Sequence, residues 1–442
     1  MNYCNGSAGI HRRPMSCLRV WSILSLLTAG LFQFISSSSG AELWATAYYP
    51  GASERVMPVS DIDFAVISHV IQFSLVPNAD GSLDETANGI VRTDAADLVR
   101  QAHAAGRKVL ICVGGANSGA GFQGASATPR RAAFVANLVR FMTAWNYDGI
   151  DLDWEPILVS DFPQFTNLVL ELRSAMDSLP THKLLTAAVS AYPTYGDPLS
   201  SEYTMFSALQ TQFDQINIMT YDLSGAYAGW VTWFNSPIYD GGYRFSTTGY
   251  LVPSIDGAVE NFITNGVSPA KLGIGVAFYG DVWAGGTGAS TGGVSLPRQS
   301  WVSAPTVTQV PYAEIMSAYY QSNLYCWDTN AQAAYLSIDK PGAADDRFIS
   351  YDDEHTCQAK VKYAREHSLG GIMIWQLAQG HRADQPAGLR DPLVQAIQRA
   401  LIVPNATDVR LDGRENHTRN GWTNRISDSL AAPSAPSSLR VR

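Results

Sequence analysis

The chain has 442 residues, room for one large barrel with additions or for two or three average domains. With 46% hydrophobic and 16% charged residues it is neither a mostly disordered chain nor a polytopic membrane protein. Thirty Lys+Arg against 39 Asp+Glu give a net charge of −9, which argues against a nucleic-acid partner.

The N-terminus reads as an export signal. Arg12, Arg13 and Arg19 precede an apolar run from Val20 to Ile35, followed by small residues to Ala41. That run is shorter than the roughly 20 residues of a spanning helix, so no membrane partner is expected after cleavage. A signal over residues 1–41 leaves a secreted chain from Glu42, 401 residues long with net charge −12. Cys112, Cys326 and Cys357 remain, an odd number without metal-ligand spacing. Cys112 sits in an apolar run and reads as a buried thiol, while Cys326 and Cys357 could pair in an oxidising compartment. No metal and no cofactor are expected.

Short β-rich runs then recur: Leu43–Tyr49, Ala65–Leu75, Lys108–Val113, Gly149–Trp154, Leu184–Ser190, Gln215–Tyr221, Leu272–Tyr279 and Gly370–Trp375. Amphipathic stretches with helical spacing lie between most of them, including 95–105, 131–145, 162–177, 255–265 and 356–368. The connection after Tyr49 shows no clear helix. Eight strands alternating with helices predict an α/β protein, a (β/α)8 TIM barrel over residues 42–402. A doubly wound open sheet is disfavoured because no G-x-G-x-x-G turn follows the first strand. Residues 281–348 exceed any single crossover and read as a small inserted α+β subdomain between strands 7 and 8. Residues 403–442 are polar and end in Ala431-Ala432-Pro433-Ser434-Ala435-Pro436, a linker-like composition.

The fourth strand carries the chemistry. It reads Asp148-Gly149-Ile150-Asp151-Leu152-Asp153-Trp154-Glu155. Side chains alternate along a strand, so Asp151, Asp153 and Glu155 share one face and Ile150, Leu152 and Trp154 the other. The apolar set would pack under the helices and the acids would point into the barrel, about 6.6 Å apart at Cα. Three acids in a low-dielectric lumen cannot all ionise cheaply, so at least one holds a proton. Glu155 lies at the C-terminal end of the strand, where catalytic groups of such barrels sit. A protonated carboxyl there suits acetal cleavage, in which the departing oxygen must gain a proton.

Asp148-Gly149-x-Asp151-x-Asp153-x-Glu155 resembles the signature of glycoside hydrolase family 18, the chitinases and their relatives. Met219-Thr220-Tyr221-Asp222, Gly275 to Gly280 and Ile374-Trp375 resemble the family's sixth, seventh and eighth strands. The insertion, with Pro311-Tyr312-Ala313-Glu314-Ile315, is similar to that of bacterial-type chitinases. The resemblance implies hydrolysis of β-1,4-linked N-acetylglucosamine in chitin and chito-oligosaccharides by a retaining, substrate-assisted route. It implies Glu155 as acid/base, Asp153 orienting the substrate acetamide, Asp151 sharing a proton with Asp153, and Tyr221 as donor to the acetamide oxygen. Substrate contacts implied are Trp375, Asp222, Met219, Tyr279, Trp154, Tyr48, Phe73 and Gly115. Trp230, Trp233, Trp283 and Trp301 are candidate platforms for further sugars. A monomer is expected.

Three positions depart from the family pattern: Cys112 where Ser is usual, Asp281 where Arg is frequent, and Gln376 where an acid is often found. Two alternatives share the signature, an endo-β-N-acetylglucosaminidase acting on N-glycans and a non-catalytic chitin-binding lectin. The presence of Glu155 argues against the lectin. The long insertion, which suits a deep groove on a linear polymer, argues against the glycan-trimming enzyme. His69, inside the apolar second strand, reads as a core residue.

Overall fold

Eight parallel strands form the frame of the computed structural model: β1 (Trp44–Pro50), β2 (His69–Pro77), β3 (Lys108–Gly115), β4 (Gly149–Trp154), β5 (Leu184–Ser190), β6 (Gln215–Met219), β7 (Leu272–Ala277) and β8 (Gly371–Trp375). The residues described are 42–192 and 201–402, so the expected signal peptide (1–41) and polar tail (403–442) lie outside them. The hydrogen-bonded order is β1-β8-β7-β6-β5-β4-β3-β2, and β1 pairs with β2 to close the ring. This is the expected (β/α)8 barrel. The helices pack outside it. Helix Phe162–Asp177 shows how: Pro163 starts it, and Phe165, Leu168, Val169, Leu172 and Met176 recur at helical spacing and are buried against the strands. Helix Glu354–Glu366 begins at Asp353, whose carboxylate accepts the Thr356 N–H at 2.7 Å.

Some boundaries differ from the sequence reading. β2 begins at His69 because the N–H groups of Val66 and Ile67 bond back to the Asp63 carbonyl in a turn. β6 stops at Met219, which leaves Tyr221 just beyond the strand. Helices Ser201–Leu209 and Pro392–Ile402 have no counterpart in the sequence reading. Cys326 and Cys357 are unpaired, and Cys357 is buried.

The insertion leaves β7 after Phe278 as a five-stranded antiparallel sheet. Its strands lie in the order Thr306–Pro311, Tyr279–Ala284, Arg347–Tyr351, Ala333–Ile338 and Tyr325–Asp328, with a helix over Tyr312–Ala318. The sheet therefore reaches slightly beyond 281–348 at both ends. It shares an aromatic core with the loop after β6, in which Trp230, Trp233, Phe234 and Phe245 of the loop are buried with Trp283 and Phe348 of the insertion. Those three tryptophans are core rather than sugar platforms; Trp301, partly buried, lies 5.8 Å from Trp283.

A buried ion pair ties the insertion to the barrel. Lys360 bonds Asp352, and neither is more than 3% exposed. Asp352 also accepts the Ala277 N–H at 2.9 Å, while Lys360 donates to Ser236 Oγ, which donates to the Thr220 carbonyl. The network thus anchors the turn that carries Tyr221 and Asp222.

Candidate active site

Period-2 alternation on the barrel strands gathers Tyr48, Cys112, Ala188, Ala277 and Met373 into one interior cluster, which Tyr221 and Tyr279 join from beyond β6 and β7, with Phe73, Met219 and Trp375 at its edge. Asp151 and Asp153 point into this space. Asp151 is fully buried, and its register neighbours on β3 and β5 are Cys112 and Thr186. Thr186 Oγ1 donates to one carboxylate oxygen at 2.6 Å and the Tyr48 hydroxyl to the other at 2.8 Å. Cys112 stands beside Asp151 in register on β3, where the family pattern has serine. Burial raises the Asp151 pKa and these donors oppose the rise.

Asp153 is 3% exposed, and burial first, then the charges of Glu155 and Asp151, push its pKa well above the carboxylate range. Its carboxyl is hydrogen-bonded to that of Glu155. No N–H or hydroxyl among the described residues reaches its Oδ1. Glu155, just past β4, also has a raised pKa from burial and from the charge of Asp222, opposed by the bond to Asp153. The charge of Glu155 thus acts on Asp153 more than that of Asp151 does. Ser118 and Gly119 hold the Glu155 backbone through its N–H (3.2 Å) and its carbonyl (2.9 Å).

Among the described residues the Tyr221 hydroxyl has one partner, the Met373 thioether at 3.6 Å. Burial, then the nearby Asp153 and Glu155, keep it un-ionised. A phenol beside carboxyls with only a weak acceptor is a donor available to a ligand. Asp222 stands at the rim and accepts hydrogen bonds from Tyr279 and from Gln309, the latter at 2.7 Å.

Aromatic rings wall the lumen. Trp375 lies 4.9 Å from Phe73 and 5.2 Å from Tyr48, ring centre to ring centre. Gly115 has φ +105°, and a Cβ there would come within 2.6 Å of the Phe73 ring. The Phe73–Ser74, Glu155–Pro156 and Trp375–Gln376 peptide bonds are cis. Gln376 is held by the Ser53 hydroxyl at 3.1 Å.

Trp154 is not part of this wall. It stacks on Phe122 at 4.6 Å and 7° and meets Phe165 edge-on, on the helix-facing side of β4. Its parity with Ile150 and Leu152 requires this, so the expected substrate contact at Trp154 is corrected to a packing residue. His69 contacts Ser68 Oγ at 2.8 Å, and burial lowers its pKa to about 4, so it is a neutral support. Thr186, Asn235, Ser224 and Gln309 support the site and were not singled out from sequence. Thr186 shares the inward parity of Ala188, which was a usable signal; the others depend on loop and insertion geometry.

Comparison with known proteins follows this geometry. The profile described as Glycosyl hydrolases family 18 matches residues 45–380. Chitinase A1 of Niallia circulans is 30% identical over 312 residues, 64% of this chain and 43% of that one. The chain thus spans less than half the length of that relative, and the same share, 43%, of a probable endochitinase of Caenorhabditis elegans. Chitinase B of Serratia marcescens is 25% identical over 418 residues, 80% of this chain and 81% of that one. In fold, the Group IV chitinase of Ostrinia furnacalis, solved in complex with allosamidin, superposes with a TM-score of 0.66 at 24% identity, over 81% of this chain and 98% of that one. With the profile covering most of its length, the chain belongs to glycosyl hydrolases family 18.

Proposed function

We propose that this protein is a chitinase that hydrolyses β-1,4 bonds between N-acetylglucosamine units by substrate-assisted, retaining catalysis. One observation carries the reading: among the described residues Asp153 Oδ1 is an acceptor with no N–H or hydroxyl donor, and the Tyr221 hydroxyl is a donor with only a thioether. An acetamide group supplies the matching N–H and C=O. The names of the relatives and the aromatic walls beside the acids support the same substrate class.

The steps follow from the groups in place. An acetamide N–H on Asp153 favours its carboxylate, which moves the shared proton onto Glu155. Glu155 gives that proton to the glycosidic oxygen as the C1–O bond breaks, and the acetamide oxygen bonds to C1. The resulting oxazolinium cation faces the Asp153 carboxylate, and the Tyr221 hydroxyl bonds the acetamide oxygen. Glu155, now ionised, takes a proton from the water that attacks C1, which reopens the ring with overall retention. Asp151, with its donors from Tyr48 and Thr186, is a fixed hydrogen-bonded carboxyl behind Asp153.

The test is hydrolysis of N-acetyl chito-oligosaccharides against cello-oligosaccharides of equal length. Cellulose fragments lack the internal nucleophile, so turnover of both at comparable rates rejects the mechanism. Export with cleavage before Glu42 is a further proposal, resting on the Arg12–Ala41 pattern. N-terminal sequencing of the protein from the culture medium tests it, and an intact Met1 there rejects it.

A further inference from the structure

Asp222 has a backbone φ of +57°, in the left-handed region. Three contacts fix it there. Its N–H donates to Asn235 Oδ1 at 2.8 Å, and the Tyr279 hydroxyl and Gln309 Nε2 converge on its Oδ1. Tyr279 and Gln309 come from neighbouring strands of the insertion, in which Gln309 lies opposite Asp281. The barrel thus supplies the carboxylate and the insertion supplies both side-chain donors.

Every one of these donors is neutral. The titratable groups that face Asp222 are Glu155, Tyr221, Tyr227, Tyr279 and Asp281. Glu155 is faced by Asp153, Asp222, Tyr221 and Cys112. None is a cation, and Asp222 makes no ion pair with a described residue. Asp281 brings a carboxyl to the position where the family pattern often has Arg. It is buried, with the Ser224 hydroxyl at 3.2 Å.

We propose that Gln309, carried on the insertion, is a positioning residue for the reaction at Glu155. It holds Asp222 by Oδ1 with a neutral donor, which leaves Oδ2 for substrate and leaves the negative charge uncompensated beside the acid. This rests on the glycosidase reading of the site. The chemistry behind it is simple. A carboxylate without a counter-ion favours the protonated form of a nearby carboxyl, so the general acid stays loaded to higher pH than it would beside an ion pair. An amide fits both needs; a lysine would hold the same oxygen but cancel its charge.

The experiment compares pH profiles of kcat/KM on chito-oligosaccharides for the full chain, Gln309→Leu and Gln309→Lys. Gln309 is exposed, so both variants should fold, and thermal melting checks this. Leu removes the donor without adding charge: KM rises several-fold and the alkaline limb moves less than in Gln309→Lys. Lys keeps a donor and adds charge: the alkaline limb moves to lower pH, on the order of half a unit or more. An active wild type with both variants matching it in KM and in the limb overturns this inference alone. An inactive wild type overturns the glycosidase reading, and the inference falls with it.

Discussion

The carboxyl of Asp153 is bonded to that of Glu155, while Asp151, two residues earlier on the same strand, has its oxygens occupied by Thr186 and Tyr48. The three acids are therefore held differently, Asp151 by hydroxyl donors and Asp153 beside Glu155, rather than as an equal row. In the proposed mechanism proton transfer uses only the Asp153–Glu155 pair, with the substrate acetamide deciding which of the two holds the proton.

Tyr221 tests the acetamide complement. Its hydroxyl gives up little when removed, since its partner is a thioether. Tyr221→Phe should leave the melting temperature nearly unchanged yet cost about 10²–10³ in kcat, the scale of one transition-state donor. Steady-state kinetics beside calorimetry separate the two; a large loss of stability would mark Tyr221 as structural.

Asp281 makes a prediction about stability and pH. Burial, and then the charge of Asp222, hold its folded-state pKa well above the carboxylate range. The folded state keeps this proton after the unfolded chain has lost it, near pH ~3.9. Stability contributed by this group therefore falls as pH rises from there toward the folded pKa. Asp281→Asn, with the shape of the protonated acid and no ionisation, should melt higher than wild type at pH 7, and the gain should shrink toward pH 4. A gain that is absent at pH 7 contradicts the assignment.

The Lys360–Asp352 pair is buried, so losing one partner costs more than losing both. Lys360→Met should destabilise by about 3–5 kcal/mol. Adding Asp352→Asn, which still accepts the Ala277 N–H, should recover most of that. Denaturant titrations of the two variants decide it.

Two tryptophans of the acid-bearing region should behave oppositely. Trp154→Ala empties a packed site against Phe122 and should cost about 3–5 kcal/mol of stability. Trp375→Ala, at the lumen edge, should instead raise KM for chito-oligosaccharides by about tenfold at little cost in stability.

The legible part of the molecule is the part governed by alternation. The barrel, the acid row and its placement at the mouth all follow from period 2 on β4 and from strand–helix alternation. The same parity placed Trp154 outside the lumen, against the contact that resemblance implied, and parity held. What sequence could not give was register and closure. Cys112 and Thr186 meet Asp151 because three parallel strands align those residues, and no local pattern encodes the alignment. Trp230, Trp233 and Trp283 looked like sugar platforms because the insertion and the loop after β6 build a shared core from the same large aromatics that a groove displays. Gln309 reaches Asp222 only through the pairing of two insertion strands.

The central claim is that Glu155 loads and unloads the proton while the substrate's own acetamide is the nucleophile. Hydrolysis of N-acetyl chito-oligosaccharides and of cello-oligosaccharides, with products sized, for wild type and Glu155→Gln tests it most directly. Wild type should cleave only the acetylated series, and Glu155→Gln should lose about 10²–10⁴ in rate while still binding the oligosaccharide. Comparable cleavage of the cello series, or a Glu155→Gln variant that keeps wild-type turnover, would contradict it.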